Sequence, residues 1–390
     1  MPWSRHGRLV GITISVLLFG AVLTSLLPSG HSAKLDRVSN YKTIYPAICN
    51  PPELGLTDAP LRLQDWLPRR SRSPICSARC AAIQSALCPT EILSLAWSPD
   101  GKRLAAGGTD GLVHLIPLTG GLSPVTLAGH TGVVRSIAWS PDGLTLATAG
   151  NDRTVRLWDG TTGDLVRDFG AAEREEGAWA IAWSPDGSLI ATASENAPLV
   201  RLWRTRDGSL ARTLRGHSLD VKSVAWSPDG TMLASASFDR TVRVWRSRNG
   251  VLLRTIRWRS NNNANVVAWS PDGLVLATGD YIGTVRLWRS SDGSLARTLA
   301  GGAYTMNSIA WSPDGAFLAG GSYSEDILVW RVSDGSAYIF HGHQGPVFSV
   351  AWSPDGLTLA TGGSDGSVRL WNMPPGDGLE DLQAQASARR

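Results

Sequence analysis

The hexapeptide Ala-Trp-Ser-Pro-Asp-Gly occurs seven times in this 390-residue chain. Its tryptophans are Trp97, Trp139, Trp183, Trp226, Trp269, Trp311 and Trp352, spaced 41 to 44 residues apart. A period of that length is one supersecondary unit copied in tandem. Such a unit cannot bury its own apolar surface, so the copies must stack on one another. Residues repeated in every copy are then scaffold first, and chemistry has to be sought where the copies differ.

One unit shows what is repeated. From Val133 the chain reads Val-Val-Arg-Ser-Ile-Ala-Trp, the turn Ser140-Pro141-Asp142-Gly143, then Leu-Thr-Leu-Ala-Thr-Ala-Gly, the turn Asn151-Asp152-Arg153, and Thr-Val-Arg-Leu-Trp158. Short runs rich in β-branched and aromatic residues, closed by turn residues, predict successive antiparallel strands. Proline presets the backbone for the second turn position and glycine relieves the strain of leaving it. Leu165, Val166 and Phe169 supply a fourth strand. A four-stranded sheet with two apolar faces needs neighbours on both sides, and a closed ring also protects the edges.

These residues resemble the WD-repeat family of β-propellers, over about three quarters of the chain. The tryptophan expected at the end of the third strand stands as Trp158, Trp203, Trp245, Trp288, Trp330 and Trp371, with Ile116 in the first unit. The resemblance implies an all-β, seven-bladed propeller. It also implies a hydrogen-bonded set of His, Ser or Thr, Asp and Trp within a blade. Carried over by position, the set is complete in three blades: His130, Thr148, Asp152 and Trp158; His217, Ser235, Asp239 and Trp245; His343, Thr361, Asp365 and Trp371. The other four lack the histidine and are expected to be softer.

Charge is unevenly placed. Of 37 basic and 33 acidic residues, ten basic and five acidic fall in residues 1–91, which leaves 27 and 28 for the remainder. A nearly neutral propeller offers nucleic acid no long-range attraction, so none is expected as a partner. Residues 9–27 carry no charge. As a helix that stretch matches a bilayer's hydrocarbon core, and it exceeds the usual apolar region of a signal peptide. We therefore expect residues 1–33 to be an uncleaved membrane anchor, with a cleaved secretory signal as the alternative. Residues 34–91 read as a linker, 92–384 as the propeller and 385–390 as a tail.

All four cysteines, Cys49, Cys76, Cys80 and Cys88, lie in the linker. An even number clustered beside a membrane segment suits two disulfides in an oxidising compartment, with three pairings open. The spacing lacks the close Cys-x2-Cys pairs of zinc sites, and no histidine accompanies it. The propeller is accordingly expected outside the cytoplasm. Closure of the ring is expected from the carboxyl end, where residues 376–382 align with 163–169; residues 61–63 or 82–87 are the alternatives.

Catalytic machinery is hard to find. Three of the seven histidines belong to the blade sets, His6 and His31 flank the apolar segment, and His114 falls within a strand. His341 and His343 form a His-x-His pair, but His343 is already assigned and no third ligand is in view. The seven turn aspartates repeat identically, whereas an active site would break symmetry. No Gly-rich phosphate cradle leads into a helix. We expect no enzyme, no cofactor and no metal. The expected function is a membrane-tethered scaffold that binds a protein or peptide; the alternative is a propeller hydrolase or oxidoreductase with its site at the central channel.

Specificity must sit where the units differ. Four residues before each motif tryptophan stand Leu93, Arg135, Trp179, Lys222, Asn265, Asn307 and Phe348. The family resemblance places this position at the channel mouth, where ligands are often met. Nearby loops add Trp258, Arg259, Tyr281, Tyr304 and the acidic run at 173–176. Large aromatics beside basic residues are the usual composition of an interface hot spot. The competing expectation is that Trp179 and Phe348 only pack between blades.

Overall fold

The computed structural model of the protein describes residues 36–38, 41–45 and 91–373, except 121–122, 171–176, 195, 258–261 and 303. Each repeat forms an antiparallel sheet whose strands follow chain order. Blade 4 is typical, with strands Val221–Trp226, Met232–Ser237, Thr241–Arg246 and Leu252–Arg257. Seven such sheets are present, the first beginning at Ile92–Trp97 and the last at Val347–Trp352. The first strands of successive blades touch one another, and that of blade 7 touches that of blade 1. They therefore form the innermost ring of a closed seven-bladed β-propeller.

The core is seven clusters rather than one. Each joins two neighbouring blades, from Val113, Ile137, Trp139 and Leu146 between blades 1 and 2 to Ile92, Leu95, Leu104, Ala360 and Val368 between blades 7 and 1. Second strands such as Arg103–Gly108 are buried along their whole length, because both faces of every sheet are covered by neighbours.

The repeated hexapeptide is the joint between blades. Each motif tryptophan donates its indole N–H to the carbonyl of the motif alanine in the preceding blade: Trp139 to Ala96 at 3.1 Å, Trp183 to Ala138 at 3.0 Å, and so on round to Trp97 to Ala351 at 3.0 Å. Within the turn, Ser140 Oγ donates to Asp142 at 2.5 Å and the Asp142 carboxylate accepts the N–H of Leu144. Gly143 adopts φ 73°, the left-handed region that glycine enters without a Cβ clash. The hydrogen bond from Ser140, with that of the Leu144 N–H, holds the Asp142 carboxyl below its ordinary value. These aspartates are thereby committed to turn geometry.

The expected closure by residues 376–382 is corrected. Blade 7 takes its fourth strand from the amino-terminal side: Tyr41–Tyr45 pairs antiparallel with Val368–Asn372. Asp36–Val38 also pairs, in parallel, with Ala337–His341 as a fifth strand of blade 6. The expected linker therefore starts inside the propeller sheets. Residues 61–63, 82–87 and 376–382 lie outside the described residues, as do 9–27, His6, His31, Cys49, Cys76, Cys80 and Cys88. Among the described residues, no helix is long and apolar enough to cross a membrane.

Candidate binding face

The innermost strands set the site by a shared irregularity. In every blade the register between first and second strands slips near the start of the first: between Ile92 and Ser94, Val134 and Ser136, Ala178 and Ala180, Val221 and Ser223, Ala264 and Val266, Met306 and Ser308, and Val347 and Ser349. The extra residues are Leu93, Arg135, Trp179, Lys222, Asn265, Asn307 and Phe348. A β-bulge leaves one residue outside the ladder and re-aims its side chain. All seven are half-buried, neither core nor free surface.

These side chains differ in what they touch. Arg135 of blade 2 lies over the Trp179 ring of blade 3, 5.1 Å from its centre, while its Nε donates to Asn151 at 3.0 Å. Lys222 of blade 4 sits on the same indole and lies 5.0 Å from the Phe238 ring. Phe238 meets Tyr281 of blade 5 edge-on at 6.4 Å. Phe348 likewise meets Tyr323 of blade 6 at 6.3 Å. Asn265 and Asn307 are spent on the backbone, donating to the carbonyls of Met306 and Val347. Trp179 Nε1 is buried and has no hydrogen-bond partner among the described residues.

Phe238, Tyr281 and Tyr323 each follow directly on a second strand, a ring of positions that the sequence reading used only at Tyr281. Their signal was present: the corresponding residues in the sequence are Thr109, Asn151, Glu195, Phe238, Tyr281, Tyr323 and Ser364, as varied as the bulges. Tyr281, Tyr304 and Tyr323 are each more than half exposed, at 54%, 56% and 58%. Trp258, Arg259 and the acidic run at 173–176 lie outside the described residues.

The three histidine sets are assembled on the same side. In blade 2, Trp158 Nε1 donates to Thr148 Oγ1 at 2.9 Å, Thr148 lies 2.7 Å from His130 Nε2, and His130 Nδ1 lies 2.8 Å from Asp152. Blade 4 joins Trp245, Ser235, His217 and Asp239 at 2.8, 2.7 and 2.8 Å. In blade 7, Trp371, Thr361, His343 and Asp365 are linked at 2.8, 2.8 and 3.0 Å. One polarity satisfies each chain: indole to hydroxyl, hydroxyl to Nε2, and Nδ1–H to carboxylate. Burial pushes His130 down, outweighing the attraction of Asp152, and so favours that neutral form. Burial alone would raise Asp239; hydrogen bonds from His217 and Thr241 overcome it and hold the carboxyl well below its ordinary value. His341 is paired separately, 2.5 Å from Asp326. No group of three metal-ligating side chains occurs among the described residues.

The opposite side is uniform by comparison. Its Ser-Pro-Asp-Gly turns repeat, and a cavity of about 410 Å³ between blades 3 and 4 is lined by Pro185, Asp186, Arg204, Arg212, Trp226 and Arg248.

The fold is a closed seven-bladed β-propeller with one regular and one irregular face. The WD domain, G-beta repeat family matches residues 84–116, 122–159 and 335–372, and the IFT122 first beta-propeller family matches 177–339. Together these matches reach all seven blades, and the chain belongs to the WD-repeat β-propeller family. Propellers of this family generally mediate protein–protein interaction and are generally non-enzymatic scaffolds. No curated protein matches the chain.

Proposed function

We propose that this protein is a non-catalytic, membrane-tethered scaffold that engages a protein or peptide across the face bearing the seven bulge residues. The observation that carries the reading is the contrast between faces: Ser-Pro-Asp-Gly turns alike in every blade, against bulge positions that range from Leu93 through Arg135 and Trp179 to Asn307. Specific recognition needs a surface that is not seven-fold symmetric, and the bulge positions depart from that symmetry while the Ser-Pro-Asp-Gly turns keep it. Half-buried Trp179 beside Arg135 has the composition of a hot spot. The apolar residues 9–27 would hold the disc at a bilayer, and the cysteine cluster favours an extracytoplasmic position.

The test is cross-linked capture from the native membrane fraction. Trp179→Ala and Arg135→Ala should each weaken capture of the recovered partner by about 2 kcal/mol or more, whereas Leu144→Ala and Leu357→Ala on the other face should not. The reverse pattern would move the site to the Ser-Pro-Asp-Gly side. Cysteine labelling of intact cells tests the tether: four thiols that label without reductant, and only after lysis, would refute both the disulfides and the orientation.

A further inference from the structure

The cavity between blades 3 and 4 has a local cause. In the fourth strands of blades 2 to 5 one residue slips out of register at the same place: Val166, Ala211, Leu253 and Ala296. The residues just after the third strands of the blades that follow are Thr205, Ser247, Ser290 and Val332 in turn. Of these four junctions, that between blades 3 and 4 alone combines alanine with serine, and both line the cavity. Side chains this small leave open a volume that a close-packed interior otherwise fills.

We propose that this cavity binds a small organic phosphate, its phosphoryl oxygens toward Arg204, Arg212 and Arg248 and its carbon body on Leu202, Ala211 and Trp226. The site lies on the Ser-Pro-Asp-Gly side and is independent of the partner face. Its lining carries those three arginines and two acidic residues, Asp186 and Asp229. Both carboxylates are already engaged: each accepts a serine hydroxyl and a backbone N–H on Oδ1, and the hydroxyl of Ser188 or Thr231 on Oδ2. In the adjoining turn, Arg206 and Asp207 pair with each other at 3.1 Å. None of the three lining arginines has an ion-pair partner among the described residues. Arg212 is held by the carbonyls of Arg248 and Asn249, each at 3.1 Å, which orients its guanidinium without neutralising it. Arg204 reaches Ser209 at 3.3 Å, and the exposed Arg248 side chain makes no hydrogen bond among the described residues. Guanidinium groups so placed match an oxyanion with several acceptor oxygens. A phosphate monoester offers three, with a charge of about −1.5 to −2. Trp226 donates its indole N–H to the Ala182 carbonyl at 3.2 Å, so it presents carbon to the ligand. A volume of about 410 Å³ suits a metabolite-sized molecule.

Calorimetric titration of the full chain compares phenyl phosphate, inorganic phosphate and benzyl alcohol. Phenyl phosphate should bind about tenfold tighter than inorganic phosphate, which lacks the ring, and than benzyl alcohol, which lacks the charge. Arg248→Gln should weaken phenyl phosphate about fivefold and leave benzyl alcohol unchanged. Ala211→Leu installs the residue that blade 4 carries at this position. It should fill the cavity and weaken phenyl phosphate about tenfold, with little change in melting temperature. Arg153→Gln, on the bulge side, should change nothing. Failure of phenyl phosphate to bind, affinity equal to that of benzyl alcohol, or binding that survives both Arg248→Gln and Ala211→Leu would overturn the proposal. An equal loss with Arg153→Gln would reduce the binding to general surface charge, and tighter binding of phosphatidic acid vesicles would make the ligand a lipid headgroup; either result also overturns it.

Discussion

At the residue scale, stability concentrates in buried polar chains that end on an indole. Trp245 is 2% exposed, packs edge-on to His217 and donates to Ser235. Trp245→Ala should therefore cost about 3–5 kcal/mol, from the cavity and the broken chain together. His217→Ala removes less volume but leaves Ser235 and Asp239 short of a partner, for about 1–3 kcal/mol. Urea unfolding of both variants checks the ordering. Blade 6 shows how a missing hydroxyl is met: Gly320 stands where Thr148 stands in blade 2, and Trp330 donates instead to the carbonyl of Ala300 at 2.6 Å. The histidine chains also set a pH dependence. The folded His130 pKa lies below its ordinary 6.5, so the unfolded chain takes up the proton first as pH falls. Its contribution is whole above about 6.5 and drains away below it. Asp239 and Asp365 are depressed from 3.8, so their contribution is present above that value and is lost as pH falls further. Unfolding midpoints should step down twice on the acid side, and His130→Gln should shrink the first step.

At the element scale, strands are joined across blades by hydrogen bonds as well as by apolar packing. Besides the tryptophan–alanine joint, Ser94 Oγ accepts the N–H of Ile137 at 3.0 Å, and Ser136, Ser223, Ser308 and Ser349 serve the next blade in the same way. Blades 3 and 5 carry Ala180 and Val266 at this position. Ser94→Ala leaves a buried backbone donor without its acceptor, a loss of about 1–3 kcal/mol measurable by denaturant melting. On the outer rim, arginines of fourth strands clamp the following blade: Arg212 donates to the carbonyls of Arg248 and Asn249, and Arg297 to that of Ser333. The repeated Leu-Ala-Arg-Thr-Leu run is thus an inter-blade fastener as well as an edge strand. Nothing in the alternation of one strand announces this, because the acceptor is a backbone carbonyl of another repeat.

At the scale of the whole molecule, a ring must be closed, and the closing strand is the feature whose source was misjudged from sequence. Removing residues 1–46 takes away Tyr41–Tyr45 and exposes the edge of Val368–Asn372 beside fully buried Trp371. The melting temperature should drop by about 5 °C or more, whereas removing residues 376–390 should change it little. The opposite outcome would restore closure from the carboxyl end. Repeat number, strand order, turn chemistry and the membership of the three histidine sets were all readable in the chain, because each follows from residues at fixed offsets within one copy. The bulge ring was half readable: variation at Trp179 or Arg135 marked those positions, yet the slip in register that aims them depends on pairing with a second strand. Which cation lies over which ring and the choice of Tyr41–Tyr45 to complete blade 7 were decided by tertiary structure alone. Such contacts join residues tens to hundreds of positions apart, and only closure of the ring brings them within reach of one another.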